Sequence, residues 1–303
     1  MSTMRAVLIK DGKGPIENLY VGLIERPVPK ESEVLVKITA FGLNRMDLAQ
    51  REGMYPPPPG TSHILGVEFS GIVHQLGPGV TKWSQGDEVY GLVGGGAYAE
   101  YVVCNHGLLI KKPATLSWVE AASIPENYIT GVAAIQIARV LGAHTVTATA
   151  STRDKLEWLL SIPNGATHAV NYTSDNFAEH VKQTTNGKGV DVIIDFVGRT
   201  HWEKNIDSLA IDGRMILLAF LSGKDATLAI RDTFIKGIPV QRRRCSFGQS
   251  TADPVQAAQD PGIHAAVSEF GLSDGADQQC QLWGGSQPDN RGRRQRAATD
   301  LYA

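Results

Sequence analysis

Cysteine is scarce in this chain. Three cysteines occur among 303 residues, at Cys104, Cys245 and Cys280, and no two of them form a CxxC pair. A disulfide framework needs an even set of cysteines at close spacings, so the sequence does not indicate one. A structural zinc site with four cysteine ligands is excluded, because only three cysteines are present.

Long apolar runs and an excess of one charge are also missing. No stretch of about 18 apolar residues occurs, so the sequence predicts no membrane-spanning helix. The first residues, MSTMRAVLIKDG, lack the apolar core of a secretory signal. The formal net charge of −2 requires no large basic surface for nucleic acid. We therefore expect a cytoplasmic protein with neither a membrane nor a nucleic acid as partner.

The first 125 residues contain many short alternations of apolar and polar residues, separated by Gly and Pro. This pattern is typical of a small β-barrel. The segment Asn44–Gly53 predicts one short helix, and the four prolines that follow at 56–59 predict a stiff extended loop. The predicted strands are Met4–Ile9, Glu33–Ala40, Val67–Val73, Glu88–Leu92 and Ala97–Val103.

From Ser117 onward, helical and strand patterns alternate, which predicts a parallel α/β sheet. Ser117–Ala122 begins with a capping box formed by Ser117 and Glu120. Gly131–Leu141 predicts an amphipathic helix, and the apolar run Val190–Val197 predicts a strand buried on both faces. The other predicted elements are the strands Thr145–Ala150 and Arg214–Leu221 and the helices Asp154–Leu160 and His201–Ala210.

The composition changes again after about Val240. Residues 241–303 are rich in Gln, Arg, Asp, Gly and Ser and poor in large aliphatic residues. Such a composition predicts a disordered or out-of-frame tail. The sequence therefore divides into a first domain at 1–125, a second at 126–240 and a tail at 241–303.

Glycines punctuate the segment from Ile64 to Val80, which reads ILGVEFSGIVHQLGPGV. Together with LNRMD at 43–47, REGMYPPPPG at 51–60 and GVDVIIDFVG at 189–198, it resembles the zinc-free NADPH:quinone oxidoreductases. This zeta-crystallin-like group belongs to the medium-chain dehydrogenase/reductase superfamily. The superfamily's zinc alcohol dehydrogenases place a metal-binding His before the Glu of this segment. Here Val67 precedes Glu68, so the resemblance implies no metal site and a structural role for Glu68.

The resemblance covers roughly residues 4–240 and has two departures. About thirty family residues are missing between AASIPE at 121–126 and the helix from Gly131. They would supply the end of one helix, the first Rossmann strand and most of the Gly-rich turn. The tail at 241–303 does not resemble the family. The implied α/β fold is a GroES-like N-terminal barrel plus an incomplete doubly wound (Rossmann) parallel sheet.

Two residues of the first domain match family positions near the nicotinamide and the substrate. Asn44 would hydrogen-bond the cofactor or the substrate, and Tyr55 would offer an aromatic wall and a hydroxyl. The local patterns alone leave a plainer alternative open, in which Asn44 caps the short helix and Tyr55 packs on the prolines.

The segment after the strand Thr145–Ala150 indicates NADPH as the cofactor. A dinucleotide fold that binds NAD usually places an acid here for the ribose 2′-hydroxyl. This chain instead has Ser151, Arg153 and Lys155, which suit a 2′-phosphate. The alternative is a solvated helix start in which the two cations pair with Asp154 or Glu157.

Further cofactor contacts follow from the resemblance and from the rule that strand ends line the crevice of such a sheet. Thr130 matches a family Thr near the nicotinamide amide, and Gly131 and Val132 are what remains of the Gly-rich turn. Tyr172 matches a residue near the adenosine. The strand-end candidates are Val197, Gly198, Phe220, Leu221 and Ser222.

The resemblance implies hydride transfer from NADPH to a small-molecule quinone or conjugated carbonyl (enone). Two alternatives stay open: a catalytically inactive chain that binds no cofactor, and an enoyl reductase of the same superfamily. Family members pair through a Rossmann edge strand, which would lie near the divergent segment Ile238–Gln241. The sequence therefore leaves a homodimer open.

Overall fold

The computed structural model of this protein describes residues 2–219 and 221–222, and the backbone of 240–242. Two compact units divide after Ile129. No helix in this described part has the length and apolar character needed to cross a membrane. The predicted tail lies outside the described residues, apart from a short backbone segment that ends at Arg242.

Antiparallel strands build the first unit. β1 (Thr3–Ile9) and β2 (Leu19–Glu25) form a hairpin. Five further strands form one sheet: β3 (Glu33–Phe41), β4 (Glu68–Leu76), β5 (Glu88–Leu92), β6 (Tyr101–Asn105) and β7 (Leu109–Lys111). Their order is β6-β3-β4-β5-β7, so β3 and β4 each have a partner on both sides. This sheet confirms the predicted strands at 33–40, 67–73 and 88–92 with small shifts of their ends.

The segment predicted as the strand Ala97–Val103 serves both sheets. Its strand in the five-stranded sheet begins only at Tyr101. The residues before it pair with β1 instead, through an isolated bridge between Ala6 and Ala99 and a 2.8 Å hydrogen bond from the Val7 N–H to the Tyr98 carbonyl. The segment therefore links the hairpin to the larger sheet, as barrel closure requires.

A large apolar cluster packs inside the five-stranded sheet of the first unit. Alternate side chains of the five-stranded sheet point inward, as the period-2 pattern requires. One short helix, α1 (Arg45–Arg51), follows β3 and confirms the helix predicted at 44–53. The buried members of the cluster are Val34, Val36, Phe69, Val73, Trp83, Val89, Val93, Ala97, Val102, Cys104 and Leu109.

The two predicted helices on either side of the gap join into one helical run. α2 (Trp118–Ala122) starts with the predicted capping box, since the Ser117 side chain accepts from the Glu120 N–H. A π-helix (Ile124–Ala133) follows, and α3 (Ala134–Val140) continues it. The predicted amphipathic helix is therefore present, but α3 buries none of its residues.

Parallel strands and helices alternate in the second unit, as predicted. The strands are β8 (Thr147–Ala150), β9 (His168–Asn171), β10 (Val190–Asp195), β11 (Leu209–Leu217) and β12 (Val240–Arg242). The helices after α3 are α4 (Arg153–Ser161), α5 (Phe177–Thr184) and α6 (Trp202–Ser208). The helix predicted to reach Ala210 ends at Ser208, because Leu209 and Ala210 already belong to β11.

These strands form two separate parallel sheets rather than one. β8 pairs with β9, and β10, β11 and β12 pair in that order. A doubly wound sheet has the strand order 3-2-1-4-5-6, in which the first strand lies between the second and the fourth. β8 and β9 stand for strands 2 and 3, and β10 to β12 for strands 4 to 6. No described strand pairs with the remaining edge of β8 or β10, so the predicted incomplete sheet is confirmed.

The prediction that β10 is buried on both faces is wrong. Val192 and Ile194 are 46% and 40% exposed. Ile193, on the opposite face, packs against a buried cluster of Trp202, Ile206, Leu209, Met215 and Leu217. One face of β10 is therefore covered, and the face with Val192 and Ile194 is exposed.

Candidate functional site

Glu68, the first residue of β4, is a carboxylate enclosed within the first unit. Its side chain is fully buried. One oxygen accepts from Asn44 Nδ2 at 2.9 Å and from the amide of Asn127, and the other accepts from the Glu126 N–H at 2.8 Å. Gly42 makes room for this carboxylate, since a Cβ at Gly42 would collide with it. The acid is thus held by protein donors from two segments distant in sequence.

Asn44 bridges Glu68 to a second buried acid. It is the N-cap of α1, and its backbone N–H donates to Asp47 Oδ2 at 2.8 Å while its side chain donates to Glu68. The Tyr98 hydroxyl donates to the same Asp47 oxygen at 2.6 Å. Asn44 therefore caps the helix, which is the alternative that the local patterns left open. Its side-chain amide is also oriented by the hydrogen bond to Glu68.

Burial controls the ionisation of this network. It raises the pKa of Glu68 above its ordinary value, although the hydrogen bonds from Asn44, Glu126 and Asn127 act in the opposite direction. Burial likewise raises the pKa of Asp47. Burial and the nearby Asp47 charge raise the pKa of Tyr98, so its hydroxyl stays protonated and can donate.

Among the described residues, no cluster of metal-binding side chains lies next to Glu68. Val67, at the position of the metal-binding His in zinc alcohol dehydrogenases, is buried. Across the described ranges, no group of three or more His, Cys, Asp or Glu side chains could hold a metal ion. The zinc-free interpretation stays a prediction. Tyr55 is more than one-third exposed, and its N–H donates to the Ala49 carbonyl at 3.1 Å; its substrate role is likewise untested.

The sequence interpretation missed three members of this network: Asp47, Tyr98 and Asn127. Asp47 follows Asn44 by three residues, which is the spacing of a capping box and could have indicated it. Asn127 lies 59 positions from Glu68. No local pattern predicts that contact, because it depends on the helical run after Ala122 lying next to Glu68.

The remnant of the Gly-rich turn lies inside a helix. Thr130, Gly131 and Val132 all fall within the π-helix Ile124–Ala133. Backbone N–H groups in a helix interior bond to earlier carbonyls, whereas anion sites use the unpaired N–H groups of a helix start. These residues do not stand at a helix start, and their cofactor role stays a prediction.

The three residues assigned to the 2′-phosphate have different surroundings. Arg153 is 88% exposed in its side chain, and its Nε lies 2.6 Å from Glu157 Oε1, one turn along α4. Lys155 is buried at 8% exposure, and Ser151 is half-buried in the turn before α4. The ion pair of Arg153 is the one that the alternative interpretation had named.

Tyr172 packs on a buried histidine. Its ring meets the His201 ring edge-on at 5.0 Å between centroids, and His201 stacks on Phe177 at 5.2 Å. Burial lowers the pKa of His201, so the ring is held towards its neutral form. The assignment of Tyr172 to the adenosine remains a prediction.

The end of β10 carries a turn built around Asp195. Its carboxylate accepts from the Val197 N–H at 2.7 Å and from the Gly198 N–H at 3.1 Å. Gly198 has a φ of +83°, which glycine adopts without strain. Burial raises the pKa of Asp195. The sequence interpretation had named Val197 and Gly198 but had not recognised that Asp195 binds both N–H groups.

The structure brings two of the predicted strand-end residues together. Ser222 Oγ donates to the Val197 carbonyl at 2.8 Å and accepts from the Thr200 N–H at 3.0 Å. The Leu221 N–H donates to the Phe196 carbonyl at 3.2 Å. Phe220 lies outside the described residues.

The second unit has two turns at which the sequence predicts contacts with a dinucleotide. The turn Ser151–Arg153 carries no carboxylate, and its assignment to a 2′-phosphate stays a prediction. At the turns predicted to bind the diphosphate, the N–H groups at 130–132 lie inside a helix and those at 197–198 bind Asp195. The described residues therefore do not form the helix-start cradle that holds a diphosphate in doubly wound folds.

Two family profiles match the chain in sequence. The alcohol dehydrogenase GroES-like domain matches residues 30–114, and the zinc-binding dehydrogenase domain matches residues 130–259. A quinone oxidoreductase from Lama guanicoe is 27% identical over 86% of this chain and 87% of its own length.

Solved structures are also similar to this chain over most of its length. Escherichia coli quinone oxidoreductase complexed with NADPH has a TM-score of 0.73 and 26% identity, covering 99% of this chain and 96% of that one. An NAD-dependent alcohol dehydrogenase has a TM-score of 0.69 and 31% identity, covering 79% and 84%. The chain belongs to the medium-chain dehydrogenase/reductase superfamily, with a GroES-like domain and a Rossmann-type domain, and is an oxidoreductase by family.

Proposed function

We propose that this chain acts as a zinc-independent, NADPH-dependent reductase of quinones or conjugated carbonyls. The observation that carries the proposal is the environment of Glu68: a buried valine precedes it, and the donors of Asn44, Glu126 and Asn127 satisfy it in place of a metal. The quinone oxidoreductase relatives support the choice of acceptor.

In this proposal the network of the first unit positions the acceptor. The Asn44 amide has two N–H donors, and Glu68 uses one of them. The second N–H is then oriented to donate to a carbonyl oxygen of the acceptor. Because Asp47 holds the Asn44 backbone and Glu68 holds its side chain, little rotamer freedom is lost when the acceptor binds. Tyr55, more than one-third exposed, would cover the apolar ring.

A second candidate is an inactive chain that binds no nicotinamide cofactor. The divided parallel sheet and the missing diphosphate cradle favour it. Both candidates leave the first unit unchanged, so the discriminating property is cofactor affinity.

A fluorescence titration of the full chain with NADPH, with NADH as the control cofactor, separates the two candidates. Arg153→Gln removes a proposed 2′-phosphate ligand, and Glu157→Gln frees Arg153 from its ion pair. The reductase proposal expects NADPH to bind more tightly than NADH, R153Q to weaken NADPH by about tenfold and E157Q to strengthen it slightly. Absence of saturable binding for either cofactor would establish the second candidate.

Turnover measurements then test the acceptor and the role of metal. We expect benzoquinone or an enone to be reduced, and a chelator to leave the rate unchanged. Preference for an enoyl thioester over both would favour the enoyl reductase alternative. Loss of activity in the chelator that zinc restores would contradict zinc independence.

A further inference from the structure

His201 lies at the start of α6, next to two segments of the second unit that the sequence assigns to the cofactor. Its ring meets the Tyr172 ring edge-on at 5.0 Å between centroids and stacks on Phe177 of α5 at 5.2 Å. Its backbone N–H donates to the Gly198 carbonyl at 2.9 Å, and the residue is 7% exposed. This buried residue therefore contacts both Tyr172 and the turn that follows β10.

Thr200 extends these contacts to Ser222. The Thr200 hydroxyl oxygen lies 3.2 Å from His201 Nδ1, and the Thr200 backbone N–H donates to Ser222 Oγ at 3.0 Å. Ser222 Oγ in turn donates to the Val197 carbonyl at 2.8 Å. Tyr172 and Ser222, which are both predicted cofactor contacts, are thus linked through His201 and Thr200.

The surroundings of His201 suit a neutral ring. A protonated imidazole carries an N–H on both nitrogens, but Nε2 is enclosed and has no hydrogen-bond partner among the described residues. Burial lowers the pKa of His201, and the nearby charge of Lys204 lowers it further. His201 is also the N-cap of α6, where the helix dipole disfavours a cation.

The neighbouring charges do not compensate a proton on this ring. Within the described part of the chain, neither ring nitrogen bonds to a carboxylate. Lys204 Nζ lies over the Phe177 ring at 5.6 Å, so a second cation stacked on that ring would be repelled. Asp195 directs its carboxylate to two backbone N–H groups of the turn. The charged residues of α5, Glu179 and Lys182, are exposed.

We propose that His201 is a positioning residue, whose neutral ring holds Tyr172 and the turn at 197–200 in place and whose protonation releases both. The release itself needs no cofactor. Its consequence for the cofactor rests on the proposed function, in which Tyr172 and Ser222 contact NADPH. The affinity for NADPH should then fall as the pH is lowered.

Hydrogen exchange at about pH 7.5 and about pH 5.5 tests the release in the full chain without cofactor. If the opened segment has the ordinary His pKa of about 6.5 and the closed segment binds no proton, opening becomes about tenfold more favourable at the lower pH. Protection factors at 196–205, corrected for the intrinsic rates, should fall by up to that factor.

His201→Phe keeps an aromatic ring against Tyr172 and Phe177 but cannot titrate. Its protection factors should not change between the two pH values. His144→Phe is the matched control, because His144 is an exposed residue of the same unit, and it should behave like the unmodified chain. An equal fall in H201F, or no fall in the unmodified chain, would overturn the proposal.

Two further measurements complete the test. If H201F does not fold, the ring nitrogen signals of His201 in NMR spectra decide, since a ring that is protonated at about pH 6.5 while the turn stays protected would overturn the proposal. NADPH titrations compare the unmodified chain with H201F at both pH values, which cancels the titration of the 2′-phosphate itself. The same pH dependence in both chains would overturn the positioning role. Absence of NADPH binding would contradict the reductase proposal and leave hydrogen exchange to decide the role of His201.

Discussion

The two units differ in how completely their sheets are built. In the first unit, β3 and β4 each have partners on both sides and pack against a large buried apolar cluster. In the second unit, β8 and β10 each pair on one side only within the described residues, and Val192 and Ile194 are exposed. One chain thus contains a closed antiparallel domain and a divided parallel one.

The difference follows from how each sheet obtains its neighbours. Antiparallel strands can be joined by short connections, so the first unit contains within 1–129 the strands that its sheets need. A doubly wound sheet places its first strand at the centre, so loss of that strand separates the halves on either side. A gap of similar length at a sheet edge would have left one continuous sheet.

Hydrogen exchange should show the largest contrast between the units. Amides of β3 and β4 lie in central strands and exchange only through extensive opening, whereas those of β8 and β10 lie at open edges. We expect protection factors at least about a thousandfold higher in β3 and β4. Exchange of the full chain followed by mass spectrometry measures this. Equal protection would mean that the second unit is as completely built as the first.

Glu68→Ala should produce the largest loss among single substitutions. It removes the buried acceptor that the amides of Asn44 and Asn127 and the Glu126 N–H share. Each orphaned donor costs about 1–3 kcal/mol, so we expect a loss of about 3–5 kcal/mol of unfolding free energy. Denaturant unfolding, with exchange in β3 and β4 as a local probe, measures it.

Glu68→Gln is the control for that substitution. It keeps the size and one carbonyl acceptor, so we expect it to cost about 1 kcal/mol or less. A loss for E68Q as large as that for E68A would mean that the negative charge, rather than the acceptor oxygens, holds the network together.

Neighbouring residues of β10 should respond unequally to truncation. Ile193→Ala removes contacts with the cluster that contains Trp202 and Met215, and should cost about 2 kcal/mol. Val192→Ala, on the open face, should cost no more than about 0.5 kcal/mol. Denaturant unfolding with exchange in β10 and β11 compares them. Similar losses would show that something covers the open face.

The pH dependence of the Glu68 network should be the smallest effect. Because burial raises the folded-state pKa of Glu68, its contribution to stability is complete below the ordinary value of 4.5 and is lost as pH rises through the raised pKa. Glu68→Gln cannot titrate. The stability of the unmodified chain relative to E68Q should therefore increase, by about 1 kcal/mol or less, on acidification from neutral pH to about pH 5.

The opposite trend would mean that the hydrogen bonds to Glu68 outweigh burial. They lower its pKa, and stability would then be lost on acidification. Denaturant unfolding of both chains at the two pH values, under identical salt conditions, distinguishes these outcomes.

Much of the fold could be predicted from residues that act locally. The alternation in Glu33–Ala40, the capping box of Ser117 and Glu120, and the helical period of Gly131–Leu141 each depend on neighbours within a few positions. The sequence interpretation did not name β2, β7, β9 or α5, although α5 has an N-cap at Asn176 and an amphipathic pattern. The three strands show weaker or shorter patterns, and β7 is three residues long.

The residues of the candidate site also differ in whether the sequence could predict them. Asn44 was found through its motif, and Asp47 could have been found through its spacing. Asn127 and Tyr98 could not, because their contacts with Glu68 and Asp47 join segments about fifty or more positions apart.

The sequence by itself determined the element types, the superfamily and the missing central strand. The element types follow from local patterns and the superfamily from its motifs. The missing strand follows from the family segment that this chain lacks after residue 126. Only the tertiary structure decided which acids are buried, which donors satisfy them and which face of β10 stays open. Burial and pairing depend on segments that meet after folding. Valines of similar strand patterns are therefore buried in β3, at Val34 and Val36, and exposed in β10, at Val192, according to the neighbours that the rest of the chain supplies.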